Sequence, residues 1–138
     1  MWSIGCIFGE MILRLPLFFS ESIVPQINKI LLVLGTPDKS DVIGIDSAKQ
    51  YLFGLPFYYP PSDNDLFPNF KDKDGLDLFH KMMNWNPYKR ISIKDALKHS
   101  FFDDLRKEND FIDLEIFEES TFNDEFLSEI ETKGEKRK

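Results

Sequence analysis

Apolar residues fall in bursts of helical period along this chain, and nowhere do they alternate with polar ones as in a half-buried strand. The first burst runs from Trp2 to Leu13 and is apolar almost all round, with Trp2, Ile4, Cys6, Ile7, Phe8, Met11, Ile12 and Leu13. A helix without a polar face belongs inside a larger core. It begins at the first residue without a capping residue before it, which leaves its first amides without an internal partner and suggests a missing upstream segment. Pro16 ends it.

The second helix is expected from about Val24 to Leu34, with Ile23, Ile27, Ile30, Leu31 and Leu34 on one inward face. Gly35 supplies a left-handed cap, and Thr36-Pro37 forbids continuation. Asp46 to Leu55 suits a short helix that faces inward through Ala48, Tyr51, Leu52 and Leu55. Pro56, Pro60, Pro61 and Pro68 make the stretch between them a loop. A further helix fits Gly75 to Asn84, with Leu76, Phe79, Met82 and Met83 inward, and Asn86-Pro87 turns the chain. Ser92-Ile93-Lys94-Asp95 has the form of a capping box and opens a helix through Ala96 and Leu97 to His99. Asn123 or Asp124 caps a last short helix carrying Phe126, Leu127 and Ile130, and residues 133–138 read as disordered. The fold class is all-α.

Charge divides the chain where periodicity does not. Residues 1–102 hold 11 acidic and 11 basic residues, whereas residues 103–138 hold 13 acidic and 6 basic. The formal charge of −7 therefore resides in the last quarter. A neutral body with an acidic tail disfavours nucleic acid as partner. It permits a basic protein partner, but a solvated tail explains it as simply. The opening apolar run lacks a basic leader and is too short to span a membrane, so a soluble intracellular protein is expected. The single cysteine, Cys6, precludes an internal disulfide. The 14 phenylalanines supply a large apolar payload for a chain of 138 residues.

Candidate chemistry is sparse. The seven glycines are scattered, so no phosphate-cradling loop is present. One cysteine and the distant pair His80 and His99 make no metal set. A histidine alone on a helix is read as structural, and the carboxylates form no pair suited to acid–base work. Arg90 asks for explanation, because it follows a tight turn between two apolar helices and a buried cation needs a partner. Either it is exposed, or it pairs with Asp95 or Asp77.

Several stretches, in order, resemble one family. Met1-Trp2-Ser3-Ile4-Gly5-Cys6-Ile7-Phe8-Gly9-Glu10-Met11 resembles the F helix of the protein kinase C-lobe in the mitogen-activated and cyclin-dependent groups. Leu34-Gly35-Thr36-Pro37 resembles the end of the G helix. Leu66-Phe67-Pro68-Asn69, and then Leu76 through Lys81-Met82-Met83-Asn84-Trp85-Asn86-Pro87-Tyr88-Lys89-Arg90-Ile91, resemble the H helix and its turn. Ala96-Leu97-Lys98-His99-Ser100-Phe101-Phe102 resembles the I helix. Ala48-Lys49-Gln50-Tyr51-Leu52-Phe53-Gly54-Leu55-Pro56, in the insert between G and H, looks more like the mitogen-activated kinases.

The resemblance implies a partial C-lobe over residues 1–102 and an acidic C-terminal extension, partly disordered, over 103–138. It implies a fragment of a mitogen-activated-type serine/threonine kinase whose parent uses ATP and magnesium to phosphorylate proteins. The cofactors themselves have no residues here: the phosphate loop, lysine–glutamate pair, catalytic-loop aspartate and asparagine, and metal-binding aspartate would all lie upstream of Met1. The chain alone is then catalytically incompetent, with no catalytic, cofactor-binding or metal residues of its own. Ile7 and Met11 match positions that support the nucleotide stack indirectly. Trp2 and Arg90 match structural positions, with Arg90 orphaned of the glutamate that closes the activation segment.

Two docking sites are also implied. Ile23, Val24, Ile27 and Tyr51 match a pocket for aromatic docking motifs, with Ile23 where tyrosine is usual; plain core packing is the competing reading. Asp110 matches an acidic position that holds basic docking peptides, with Lys107 in place of the second acid and Glu108, Asp113 and Glu115 nearby. The partners implied are docking peptides and the missing N-terminal part of the kinase, not nucleic acid or membrane, in cytoplasm or nucleus. The competing readings are a non-catalytic interaction module and a truncated product without function.

Overall fold

The computed structural model describes residues 1–108. These form seven α-helices without a strand, so the described chain is all-α. It divides into two units, Met1–Phe102 and Asp103–Lys138.

The first helix, α1 (Trp2–Leu13), ends as its sequence dictates, three residues before the helix-breaking Pro16. Arg14 takes up the left-handed conformation at its C-terminus, φ 58° and ψ 23°, and its N–H donates to Glu10 O at 2.6 Å. No side chain caps the N-terminus. The helix α2 (Ile23–Leu34) buries Leu31 completely. Its expected inward face is only partly inward, since Ile23 is 77 % exposed. Ile23 occupies the first turn, beyond the reach of the core that covers Leu31 and Leu34. Gly35 stops α2 with a positive φ of 74°, but its ψ of 172° is extended and so the cap is not left-handed. A Cβ at Gly35 would stand 2.7 Å from Pro60 Cδ, so glycine is required sterically as well. Thr36 locks this crossing: its N–H donates to Tyr58 O at 2.8 Å, and Tyr58 N–H donates to Thr36 Oγ1 at 2.9 Å.

The helix α3 (Asp46–Gly54) buries Leu52, while Ala48 and Tyr51 are exposed, contrary to the expected face. Within the segment expected to be a loop lies the single turn α4 (Asp63–Leu66). Ser62 caps it, its Oγ accepting from Asp65 N–H at 3.2 Å and donating to Asp65 Oδ2 at 2.6 Å. The helix α5 (Lys73–Met82) starts before the expected glycine because Asp72 Oδ1 accepts from Gly75 N–H at 2.9 Å. Its buried residues are Gly75, Leu78, Phe79 and Met82; Leu78 was not among the expected inward positions. The helix α6 (Ile93–Leu97) opens on the expected Ser92–Asp95 box, with Asp95 N–H donating to Ser92 Oγ at 3.0 Å and Ser92 Oγ donating to Asp95 Oδ2 at 2.7 Å. It stops at Leu97, short of His99, and a 3₁₀ turn takes over at Ser100–Phe102.

In the first unit α1 packs on α5, and α5 on the Ser100–Phe102 turn. The approach of α1 is close because Gly5 and Gly9 lie one turn apart on its inner face. A Cβ at Gly5 would stand 2.4 Å from Met83 Sδ, and one at Gly9 would stand 3.0 Å from Leu17 Cδ2 and Phe79 Cε2. Phe79 is fully buried and meets Phe67 edge to face, centroids 4.9 Å apart. Leu17 and Met83 complete this cluster, and Leu78, Met82 and Ala96 form a second beside it. Phe8 touches both clusters.

The second unit is described only over α7 (Asp103–Glu108), where Arg106 pairs with Asp103 and Lys107 with Asp104, three residues apart. The expected helix around Phe126 and the tail at 133–138 lie outside the described residues. Among the described residues no helix is long and apolar enough to cross a membrane.

Candidate functional site

Arg90 follows the Asn86–Pro87 turn, which side-chain amides hold in shape. Asn84 Oδ1 accepts from Asn86 N–H, and Asn86 Oδ1 accepts from Tyr88 N–H, each at 2.9 Å. Ile91 N–H reaches back to Lys81 O at 3.0 Å. This delivers the half-buried Arg90 against the start of α1. Its Nε donates to Asn84 O at 2.8 Å, its Nη2 to Trp85 O at 3.3 Å, and its guanidinium lies 4.8 Å from the Trp2 ring centre. Trp2 stacks in turn on Phe18, centroids 5.9 Å apart. Arg90 is thus neither fully exposed nor paired with Asp77 or Asp95. Asp95 is engaged by Ser92, and Asp77 by Lys81 and His99. Burial lowers the Arg90 pKa from its ordinary value and raises that of the half-buried Cys6 thiol, which the guanidinium partly offsets. Beside them Trp85 Nε1 is buried without a hydrogen-bond partner among the described residues.

The opposite face of α1 is open. Ile4, Ile7 and Met11 lie at helical spacing on one stripe, with Ile7 60 % and Met11 70 % exposed. Expected to share a face, Ile7 and Met11 do so, and that face is bare. The four positions matched to an aromatic docking pocket are spread over two helices. Ile23 and Val24 are exposed on the first turn of α2, Ile27 is half-buried one turn on, and Tyr51 is exposed on α3. Asp110, Asp113 and Glu115 lie outside the described residues.

The histidines have the expected structural settings. His99, 8 % exposed, meets Asp77 Oδ2 through Nε2 at 2.8 Å. Lys81 Nζ donates to the same oxygen at 2.6 Å. The lysine and histidine hydrogen bonds together hold the Asp77 carboxyl below its ordinary pKa. His80 pairs with Asp63 at 2.7 Å and so ties α4 to α5. No three His, Cys, Asp or Glu side chains among the described residues are grouped so as to hold a metal ion.

One cleft was not anticipated from sequence. It is a half-open groove of about 640 Å³ between the end of α1, the stretch before α5 and the Ser100–Phe102 turn. Phe8, Met11, Ile12, Phe70 and Phe101 wall it, with Arg14 and Asn69 as its polar lining. The available signal was Arg14 itself, a lone cation closing an otherwise apolar helix.

Comparison with known proteins agrees with this architecture. The protein kinase domain model matches residues 1–102. Cyclin-dependent kinase B2-2 of Arabidopsis thaliana is 40 % identical over 105 residues, covering 76 % of this chain and 33 % of its own. Mitogen-activated protein kinase PMK11 of Pyricularia oryzae is 40 % identical over 112 residues, covering 80 % and 31 %. A mitogen-activated protein kinase of Fusarium vanettenii is 42 % identical over 105 residues, covering 75 % and 29 %. The chain thus spans about a third of the length of these relatives. It belongs to the protein kinase domain family, as a C-terminal part of the C-lobe in the mitogen-activated group, with the cyclin-dependent kinases close beside it.

Proposed function

We propose that this chain is the helical base of a mitogen-activated-type serine/threonine kinase, and that phosphoryl transfer from ATP to protein hydroxyls belongs to the whole kinase rather than to these residues. The observation that carries the reading is the bare stripe Ile4–Ile7–Met11 on the helix that matches the kinase F helix. A stripe of large apolar side chains in water favours burial against further chain. The occupant under this reading is the rest of the kinase lobe.

Phosphoryl transfer rests on positioned cations, magnesium and a catalytic carboxylate. In this reading the groups that hold magnesium and the nucleotide belong to the rest of the kinase, and Asp77, engaged by Lys81 and His99, serves the packing of the helices. In this reading the chain alone neither binds ATP productively nor phosphorylates protein, and the kinase of which it is part works in cytoplasm or nucleus. The exposed Ile23, Val24 and Tyr51 offer docking peptides a foothold that the complete lobe would finish.

The test is a titration of the purified chain with ATP and magnesium, followed by a phosphotransfer assay on a generic basic protein substrate. Neither saturable nucleotide binding nor phosphate incorporation is expected. Incorporation that survives purification to constant specific activity would overturn the proposal.

A further inference from the structure

The groove between α1 and the Ser100–Phe102 turn combines an apolar wall with a polar lining. Its walls are aromatic and aliphatic. Phe8 stands at the centre, with ring centroids 6.4 Å from Phe70 at an interplanar angle of 90° and 5.3 Å from Phe101 at 76°. Met11 and Ile12 continue the wall along α1. The shape is built in, because Gly75 admits both outer rings. A Cβ there would stand 2.6 Å from Phe70 Cζ and 3.0 Å from Phe101 Cε2.

The polar lining is unspent. Among the described residues the Arg14 side chain makes no hydrogen bond or ion pair, and its backbone N–H is committed to Glu10 O. The Asn69 side chain is likewise without a partner among them. A volume of about 640 Å³ falls within the usual range of small-molecule pockets. An unpaired guanidinium offers a fork that matches a carboxylate, and a carboxamide N–H₂ adds a second donor.

We propose that this groove binds a small aryl carboxylate, its ring against Phe8, Phe70 and Phe101 and its carboxylate on Arg14 and Asn69. Ring-on-ring contact favours a flat aromatic body over an alkyl chain. The charge complement selects the acid over its neutral analogues. This assignment concerns the 138-residue chain by itself, because Met11 of the groove wall also belongs to the stripe that the proposed function places under the rest of the lobe.

The experiment titrates the full 138-residue chain with 1-naphthylacetate and, in parallel, with its neutral isostere 1-naphthylacetamide. Binding is followed by two-dimensional NMR with labelled methionine and isoleucine methyl groups. The acid is expected to saturate, shift the Met11 and Ile12 methyls, and bind at least about tenfold more tightly than the amide. Arg14→Gln should abolish that preference while leaving the far-ultraviolet circular dichroism unchanged. If Arg14→Gln proves unfolded, Asn69→Ala provides the second arm, with an expected severalfold loss for the acid only. Equal binding of acid and amide would mean simple apolar adsorption and overturn the proposal. So would shifts confined to the Ile4 and Ile7 methyls, or no saturation at millimolar acid.

Discussion

Arg90 and Trp85 show how a single side chain can carry the mark of its surroundings. A guanidinium that leaves water normally finds a carboxylate, yet Arg90 is held by two peptide carbonyls and an indole face. Hydrogen bonds from a charged donor contribute about 1.5–3 kcal/mol each at best, so Arg90→Ala should destabilise the first unit by about 1–3 kcal/mol. Arg90→Lys should recover little of that, because an ammonium lacks the planar fork. Denaturant melts of both variants decide it, and full rescue by lysine would contradict the stacked geometry. Trp85 behaves in the opposite sense. Its buried N–H has no acceptor among the described residues, and an unmade hydrogen bond costs on the order of 1–3 kcal/mol. Trp85→Phe is therefore expected to leave stability unchanged or raise it slightly. A loss above about 2 kcal/mol would mean that ring volume outweighs the orphan donor.

Asp77 gives the pH dependence at this scale. Its carboxyl is held below the ordinary value of 3.8 by Lys81 and His99. A lowered folded-state pKa contributes stability that is present above the unfolded value and lost as pH falls through the folded one. Asp77→Asn should therefore narrow its stability deficit against the parent chain as pH drops below about 4, as followed by thermal melts between pH 3 and 6. The carboxylate is half exposed, so water screens the effect and the change should be small.

At the scale of elements, sequence periodicity located the helices well and their faces less well. The first helix was legible to the residue, because an apolar burst with a proline beyond it has few alternatives. Its inner face was not, since Gly5 and Gly9 carry no hydropathy signal and yet mark where α1 touches α5. Exposure of Ile4, Ile7 and Met11 follows from that choice of face. The turn α4 was hidden by surrounding prolines, though the Ser62–Asp65 cap was written in the sequence. Leu78 was missed because α5 buries a wider face than the one counted from Leu76 and Phe79. The groove escaped notice since its walls come from residues 8–14, 69–70 and 101, which no local pattern connects. Motif order over residues 1–102 made the family legible where periodicity alone gave only a helical class. The close α1–α5 contact gives a direct test. Gly5→Ala gains about 1 kcal/mol in helix propensity but drives a methyl toward the buried Met83 sulfur, and overpacking costs typically about 1–3 kcal/mol. A net loss in stability is expected on denaturant unfolding, and a more stable variant would show that Met83 moves aside freely.

For the whole molecule, the decisive property is unburied apolar surface. Besides the stripe on α1, Leu15 and Phe19 of the next loop are exposed. Such surface promotes self-association of a purified chain. Light scattering should show concentration-dependent oligomers, and a hydrophobic dye should bind strongly at neutral pH. Ile7→Lys combined with Met11→Gln should reduce both signals without lowering the melting temperature, because neither side chain supports the core. A monodisperse parent chain that ignores the dye would remove the main support for the proposed role as the base of a larger lobe.

Arg14 ends α1 in a conformation that most residues avoid. Left-handed backbone costs an L-residue about 1–2 kcal/mol, and glycine would sit there without that strain. Arg14→Gly thus sets two selections against each other: the variant should hold its helix end at least as firmly while losing the cation of the groove lining. A chain that melts higher and binds the aryl acid worse would mark Arg14 as a position where local comfort has been given up for recognition.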